Sequence, residues 1–260
     1  MTPSPHPALK ACVVVPARNE EALISSCLRA LATQTGIEAH EYEVLLVLDQ
    51  CTDLTEVRAR EASKSHPRLR LHYLDGPGEG SGAARRIGMD AACARLLRVG
   101  RPEGLIACTD ADTMVAHDWL ATQLGAVSRG ARAIGGRIEL ADDGSLPEGV
   151  SAGLAEHGRI RHERLLSDPN RLGRAEHWQF SGASLSLKAE VYRMVGGLEP
   201  LTDLEDEHLE AVLGEHGIPI DRLLCVRVTT SPRLTGRATR GLSHDLAGIA
   251  SSLREKQPGV

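Results

Sequence analysis

Two carboxylates two residues apart, Asp110 and Asp112, close the apolar run Ile106-Ala107-Cys108. In extended backbone, side chains at i and i+2 project to one side, so the pair could share a hard cation such as Mg2+ or Mn2+. Left without a cation the two would repel, which weighs against a purely structural role; a solvated turn is the alternative. A second acidic cluster, Asp203-Leu204-Glu205-Asp206-Glu207-His208, could supply a general base. Thr202 and Glu205 also fit a capping box there, and acids favour helix starts in any case.

Two further apolar runs end in polar residues. The first closes on Pro16-Ala17-Arg18-Asn19-Glu20-Glu21. Asn19 suits a helix cap and the acids suit its positive end, whereas Arg18 has no such structural use. The second closes on Leu48-Asp49-Gln50-Cys51-Thr52-Asp53. Thr52 or Asp53 would cap the next helix, and Asp49 could accept from a ribose hydroxyl or a base imide. The glycine-rich stretch Gly76–Gly82 leads to Arg85 and Arg86, a helix start able to receive an anion. Its match to the dinucleotide fingerprint is discounted, because it follows the third strand and lacks the acid about 20 residues on. Trp178 and Phe180 are either core packing or a stacking surface for a sugar or apolar acceptor. His244, near Arg233, Arg237 and Arg240, could reach a metal or phosphate, or serve as a surface or capping residue.

These groups must be positioned by regular elements. Strand patterns at Lys10–Val15, Glu43–Leu48, Arg68–Leu74 and Gly104–Cys108 alternate with helical ones at Glu20–Ala32, Asp53–Ser65 and Ser81–Arg98. Such alternation implies right-handed crossovers and a parallel sheet covered on both faces, an α/β fold. After Asp112 the expected order is helix His117–Ser128, strand Ala131–Glu139, a loop over Ala141–Val150, and an amphipathic helix Ser151–Leu166. Strand Ala183–Leu187, helices Ala189–Val195 and Leu204–Glu215, strand Leu223–Thr230 and a helix near Ser243–Leu253 follow.

The chain has 260 residues, 30 basic against 35 acidic, and a net charge of −5, which excludes a nucleic-acid binder held by phosphate contacts. With 42% apolar and 25% charged residues it can bury a sizeable core. One Phe, two Trp and three Tyr make that core aliphatic. No apolar stretch reaches the roughly 18 residues a membrane span needs, and no secretory signal is visible. Six scattered cysteines without a C-x-x-C pair read as small buried thiols of a reducing compartment, so a cytoplasmic protein is expected.

Together the motifs resemble glycosyltransferase family two, which has the GT-A fold. Val13–Glu21 resembles its opening signature, Leu48–Asp53 its second-strand motif, and Thr109-Asp110-Ala111-Asp112 its metal motif. Gly182–Leu187 through Val195-Gly196-Gly197 resembles its acceptor-side strand and helix, and Glu205-Asp206 its catalytic pair. Leu48, Gln50-Cys51 and Arg86 depart from common choices at their positions. The resemblance implies one glycosyltransferase domain, with a nucleotide-binding lobe over about residues 8–115 and an acceptor lobe over about 116–260. It implies Pro16, Ala17, Arg18, Glu20, Asp49 and Arg85 at the nucleotide, and Asp110 at the ribose or metal. Asp112 would be the principal ligand of Mg2+ or Mn2+, with His244 a candidate third ligand. Trp178, Gly182 and Ala183 would meet the acceptor, and Asp206, or else Glu205, would be the base. The partners implied are a UDP- or GDP-sugar and an unidentified hydroxyl acceptor, with peripheral membrane contact left open. A retaining transferase acting on a small phosphorylated acid and a nucleotide-binding module without turnover are the competing expectations.

Overall fold

The computed structural model describes residues 3–236 and 240–255. Its centre is one eight-stranded sheet in the order β3-β2-β1-β4-β7-β6-β8-β5. The first four strands, β1 (Ala11–Ala17), β2 (Tyr42–Leu48), β3 (Leu71–Asp75) and β4 (Leu105–Cys108), are mutually parallel. The crossovers between them are α1 (Ile24–Ala32), α2 (Thr55–Ser65) and α3 (Ser81–Arg98).

Alternation along β1 sorts the core. Ala11, Val13, Val15 and Ala17 pack on one face with α1 and α2. Cys12 and Val14 face the other side, with Met89, Ala92 and Leu96 of α3. Both faces of a parallel sheet are thereby covered, and the strands read as apolar throughout. Helix α3 comes unusually close to the sheet, since a Cβ on Gly88 would overlap Val14 and crowd Val47.

The second half departs from the parallel expectation. Strand β7 (Leu185–Lys188) runs antiparallel beside β4, and β6 (Ala133–Leu140) antiparallel beside β7. Strand β8 (Ile220–Thr230) returns parallel to β6 and starts three residues before the expected Leu223. Strand β5 (Thr113–Val115) pairs antiparallel with β8; three residues directly after Asp112 are too few to leave a periodic signature. The sheet is therefore mixed but mostly parallel: six of its eight strands run the same way, and only β7 and β5 are reversed.

Helix α4 (Trp119–Ser128) continues the first core face, with Trp119 fully buried and donating to Ser184 Oγ at 3.3 Å. Helices α6 (Ala189–Met194) and α7 (Glu205–Glu215) cover the second face. Helix α5 (Val150–Ser167) forms where expected, but only Val150 on it is fully buried. With α8 (Leu242–Glu255) it builds a small separate cluster of Val150, Leu246, Ile249 and Ala250. Among the described residues no helix is long and apolar enough to cross a membrane. All six cysteines are free; four are buried, Cys51 is half-buried, and Cys225 is exposed on β8, against the expectation of a buried thiol.

Candidate active site

Strand order reverses between β1 and β4, the place where an open α/β sheet leaves a crevice beyond its carboxyl ends. The cleft there encloses about 2500 Å3. A single small-molecule site takes roughly 300–1,000 Å3, so two substrates fit side by side.

The loops after β1 and β2 are stitched to each other rather than each to its own helix. Asn19, in a left-handed conformation at φ 52°, accepts from Thr52 N–H at 2.8 Å instead of capping α1. Glu20 N–H donates to Thr55 Oγ1 at 2.7 Å, and Glu21 accepts from Leu54 N–H at 2.9 Å. Asp53 accepts from Glu21 N–H at 3.1 Å and from Thr55 N–H at 2.9 Å just before α2. The N-cap position falls to Leu54, without a side-chain cap, rather than to Thr52 or Asp53 as expected. Helix α1 begins only at Ile24, four residues later than expected, without a side-chain cap.

Asp49 is 2% exposed; its Oδ1 accepts from Gly78 N–H at 2.5 Å, and exposed Arg18 lies 3.7 Å from its Oδ2. Gly78 has φ 79°, and a Cβ on it would overlap the Gln50 amide, so the glycine-rich loop folds directly over the end of β2. Pro16 and Ala17 form the cleft wall between these groups. Arg86 points away to Asp90 at 3.6 Å.

Deeper in the cleft the two acidic motifs meet through one side chain. Arg85, in the second turn of α3, is 3% exposed. Its Nη2 donates to Asp110 Oδ1 at 2.9 Å, its Nε to Glu205 Oε1 at 3.1 Å, and its Nη1 to Gly182 O at 3.0 Å. Gly182 N–H in turn donates to Asp206 Oδ2 at 3.0 Å. Glu205 opens α7 behind Leu204, whose left-handed φ of 60° replaces the expected capping box; Thr202 makes no cap. On the other side, Arg233 bridges Glu20 Oε1, at 2.6 Å, and Asp112 Oδ2. Thr113 and Thr230 hydroxyls lie 3.3 and 3.4 Å from Asp112 Oδ1.

Burial pushes the Asp110 carboxyl above its ordinary range; Arg85 opposes this and Asp112 adds to it. Glu205 is raised in the same way, by burial and Asp206 against Arg85. The inner cluster thus sets five carboxylates (Glu20, Asp110, Asp112, Glu205, Asp206) against the two guanidinium groups of Arg85 and Arg233. Hard carboxylate oxygens on Asp110 and Asp112 suit a divalent cation, so these residues fit the expected metal. Among the described residues no group of three or more His, Cys, Asp and Glu converges as a ready-made metal site. His244 is exposed at the cleft rim and does not join the two aspartates. Arg237 lies outside the described residues.

On the acceptor side the aromatic pair divides. Phe180 is buried with the second core face and meets the cleft only at its wall, while Trp178 is half-buried and lines the cleft. Arg161 of α5 covers the Trp178 ring at 4.6 Å from its centroid and reaches Asp245 of α8 at 3.0 Å. Gly182 and Ala183 are buried at the inner cluster beside Arg85. Three contributors had no role assigned from the sequence. Thr230 and Arg233 stood out there only within Thr229-Thr230-Ser231-Pro232-Arg233, a stretch resembling one bacterial subgroup of the family, with no ligand attached to it. Gln179, which fills a gap by bonding both Ile138 N–H and C=O, had no signal.

A mixed sheet flanked by helices, with its cleft at the switch point, is the GT-A architecture, and comparison with known proteins agrees. The chain aligns over 99% of its length with 68% of mannosyltransferase PcManGT from Pyrobaculum calidifontis, solved with GDP-Man and Mn2+, at TM-score 0.62 and 17% identity. It aligns over 97% of its length with 68% of S. aureus TarS, solved with UDP-GlcNAc, at TM-score 0.63 and 15% identity. Residues 12–175 match the sequence profile of glycosyl transferase family 2, and the chain belongs to that family. Glycosyltransferase AglE of Haloferax volcanii is 30% identical over 128 residues, 49% of this chain and 38% of AglE; the match spans well under half of that relative.

Proposed function

We propose that the protein transfers a sugar from a nucleotide-diphosphate sugar to a hydroxyl acceptor with inversion at the anomeric carbon, aided by Mg2+ or Mn2+. The observation that carries this reading is the seat of Asp206. Its carboxylate is fixed on Gly182 N–H, across the cleft from Asp110 and Asp112 at the switch point. Family membership and the donors bound by PcManGT and TarS support the substrate class.

In this reading Asp49, Arg18, Glu20, Pro16 and Ala17 hold the base and ribose, with Asp110 at the ribose or cation. Asp112 and Asp110 hold the divalent cation, which when bound neutralises the departing diphosphate. Asp206 takes the acceptor hydroxyl proton as that oxygen attacks the anomeric carbon and the bond to the diphosphate breaks. One base and one displacement invert the configuration, without a covalent intermediate. Residues of about 8–115 serve the donor and those of about 116–260 the acceptor, Trp178 among them. Four buried thiols and no disulfide suit the reducing cytoplasm, where we place the reaction.

The test uses water as the acceptor: hydrolysis of GDP-mannose and UDP-GlcNAc with Mn2+, followed by NMR of the released sugar. The expected result is metal-dependent release from one donor with an inverted anomer formed first. Retention of configuration would instead favour a retaining transferase. Asp112→Ala is expected to abolish metal-dependent binding of the nucleotide; unchanged affinity in Mn2+ would remove Asp112 from the metal site.

A further inference from the structure

The arginine at the centre of the cleft is spent on protein atoms. A guanidinium that gripped the nucleotide would keep at least one nitrogen turned to the ligand. Arg85 instead uses three of its five N–H donors, one on each nitrogen, on separate protein acceptors on α7, on the segment before β7 and on the loop after β4. It is 3% exposed, and burial leaves the other two donors little access to the cleft.

We infer that Arg85 is a positioning residue that locks the general base to the donor carboxylates, and not a nucleotide ligand. This rests on the transferase reading above. The geometry runs in one chain. Asp110 at the donor side bonds Nη2, Nη1 bonds Gly182 O, and Gly182 N–H bonds Asp206 Oδ2. The adjoining Glu205 bonds Nε, which fixes the first turn of α7 from its other carboxylate. One planar fork thereby sets the distance between the site of the leaving group and the base. That distance decides whether an attacking oxygen lies in line, and a 1 Å misplacement can cost about 100-fold in rate.

Two glycines make room for this arrangement. A Cβ on Gly182 would overlap Arg85 Nη2 and lie 2.6 Å from its Cζ. A Cβ on Gly82, one turn earlier on α3, would overlap Leu201 O and crowd Glu205 Cβ at 3.3 Å. The close approach of α3, the Gly182 segment and the start of α7 is therefore required by backbone as well as by charge.

Lysine tests the fork without removing the charge, because its donors share one atom and cannot reach three divergent acceptors. Gly182→Ala presses on the same fork without replacing any charged residue. Both variants are compared with the parent by titration of Mn2+ with UDP or GDP, by thermal unfolding, and by the kinetics of donor hydrolysis. Arg85→Lys and Gly182→Ala are each expected to keep nucleotide affinity within about threefold and KM near that of the parent. Their kcat is expected to fall by about 100-fold. A loss of nucleotide affinity of tenfold or more in folded Arg85→Lys would make Arg85 a nucleotide ligand and overturn the inference. Full turnover in either variant would overturn it as well, leaving Arg85 a packing residue. If the parent itself binds neither nucleotide, the transferase reading falls and the inference falls with it, a result distinct from failure in the variants alone.

Discussion

At the scale of single residues, carboxylates of the same type are given different work by their surroundings. Asp206, half-buried in the first turn of α7, accepts from Gly182 N–H at 3.0 Å and from Glu207 N–H at 2.9 Å, whereas Glu205 beside it is 5% exposed and bound to Arg85. A base must meet the acceptor, and of the two only Asp206 is open to it. Asp206→Asn should therefore leave nucleotide affinity unchanged and lower kcat by about 1,000-fold, within the range for loss of a general base. Loss of nucleotide binding in that variant would move Asp206 to the donor side. Arg233 offers a second test, since its guanidinium pairs with Asp112. Arg233→Ala should tighten Mn2+ binding without nucleotide by about fivefold, the equivalent of the roughly 1 kcal/mol that such a half-exposed pair contributes. Weaker Mn2+ binding would show Arg233 to be an ally of the cation site instead.

At the scale of elements, the close contact of α3 with β1 and β2 sets where Arg85 enters the cleft. Gly88 is its tightest point, and Gly88→Ala should lower the unfolding free energy by about 1–3 kcal/mol, the usual cost of overpacking. Chemical denaturation measures this; an unchanged midpoint would mean that the helix shifts freely. The satellite formed by α5 and α8 should behave independently. Leu246→Ala should raise hydrogen exchange in both helices and leave β1 to β4 protected.

The donor half of these elements was legible in the sequence because its signals are local: apolar runs ending in polar residues, helices between them, and Asp110 and Asp112 at one strand end. The acceptor half was less so. Antiparallel β7 and β6 read no differently from parallel strands when both faces are buried, and β5 is too short to show any period. Asn19 and Thr202 looked like caps, yet Asn19 serves the neighbouring loop and the left-handed Leu204 precludes the box. The pairing of Arg85 with Glu205 joins residues 120 positions apart, and that of Arg233 with Asp112 spans 121. No spacing rule reaches across such distances.

For the whole molecule, buried titratable groups set the acid limit of stability. His177 is 7% exposed; burial first, with the Arg222 charge adding, holds its pKa at about 4 against an ordinary 6.5. A histidine depressed in the folded state takes up its proton on unfolding, so stability falls as pH drops from about 6.5 to 4 and then levels. The loss should approach about 3 kcal/mol at 1.36 kcal/mol per unit. His177→Gln should flatten that limb in denaturation series at different pH; an unchanged slope would exclude His177 as its source. Glu43 acts lower. Burial raises its pKa, but hydrogen bonds and charge from His72 and Arg95 outweigh this and hold it at about 2. Its contribution is present above the unfolded value and is lost as pH falls toward 2.

The proposed reading makes a donor site in which a cation held by Asp110 and Asp112 admits the anionic nucleotide. Calorimetric titration of the protein with UDP and with GDP, each with and without Mn2+, addresses that claim most directly. Binding of one nucleotide that appears only with Mn2+ is the predicted result, and it names the base as well. Equal binding with and without Mn2+ would contradict the cation role of Asp110 and Asp112. No binding of either nucleotide by the folded protein would contradict the donor site itself.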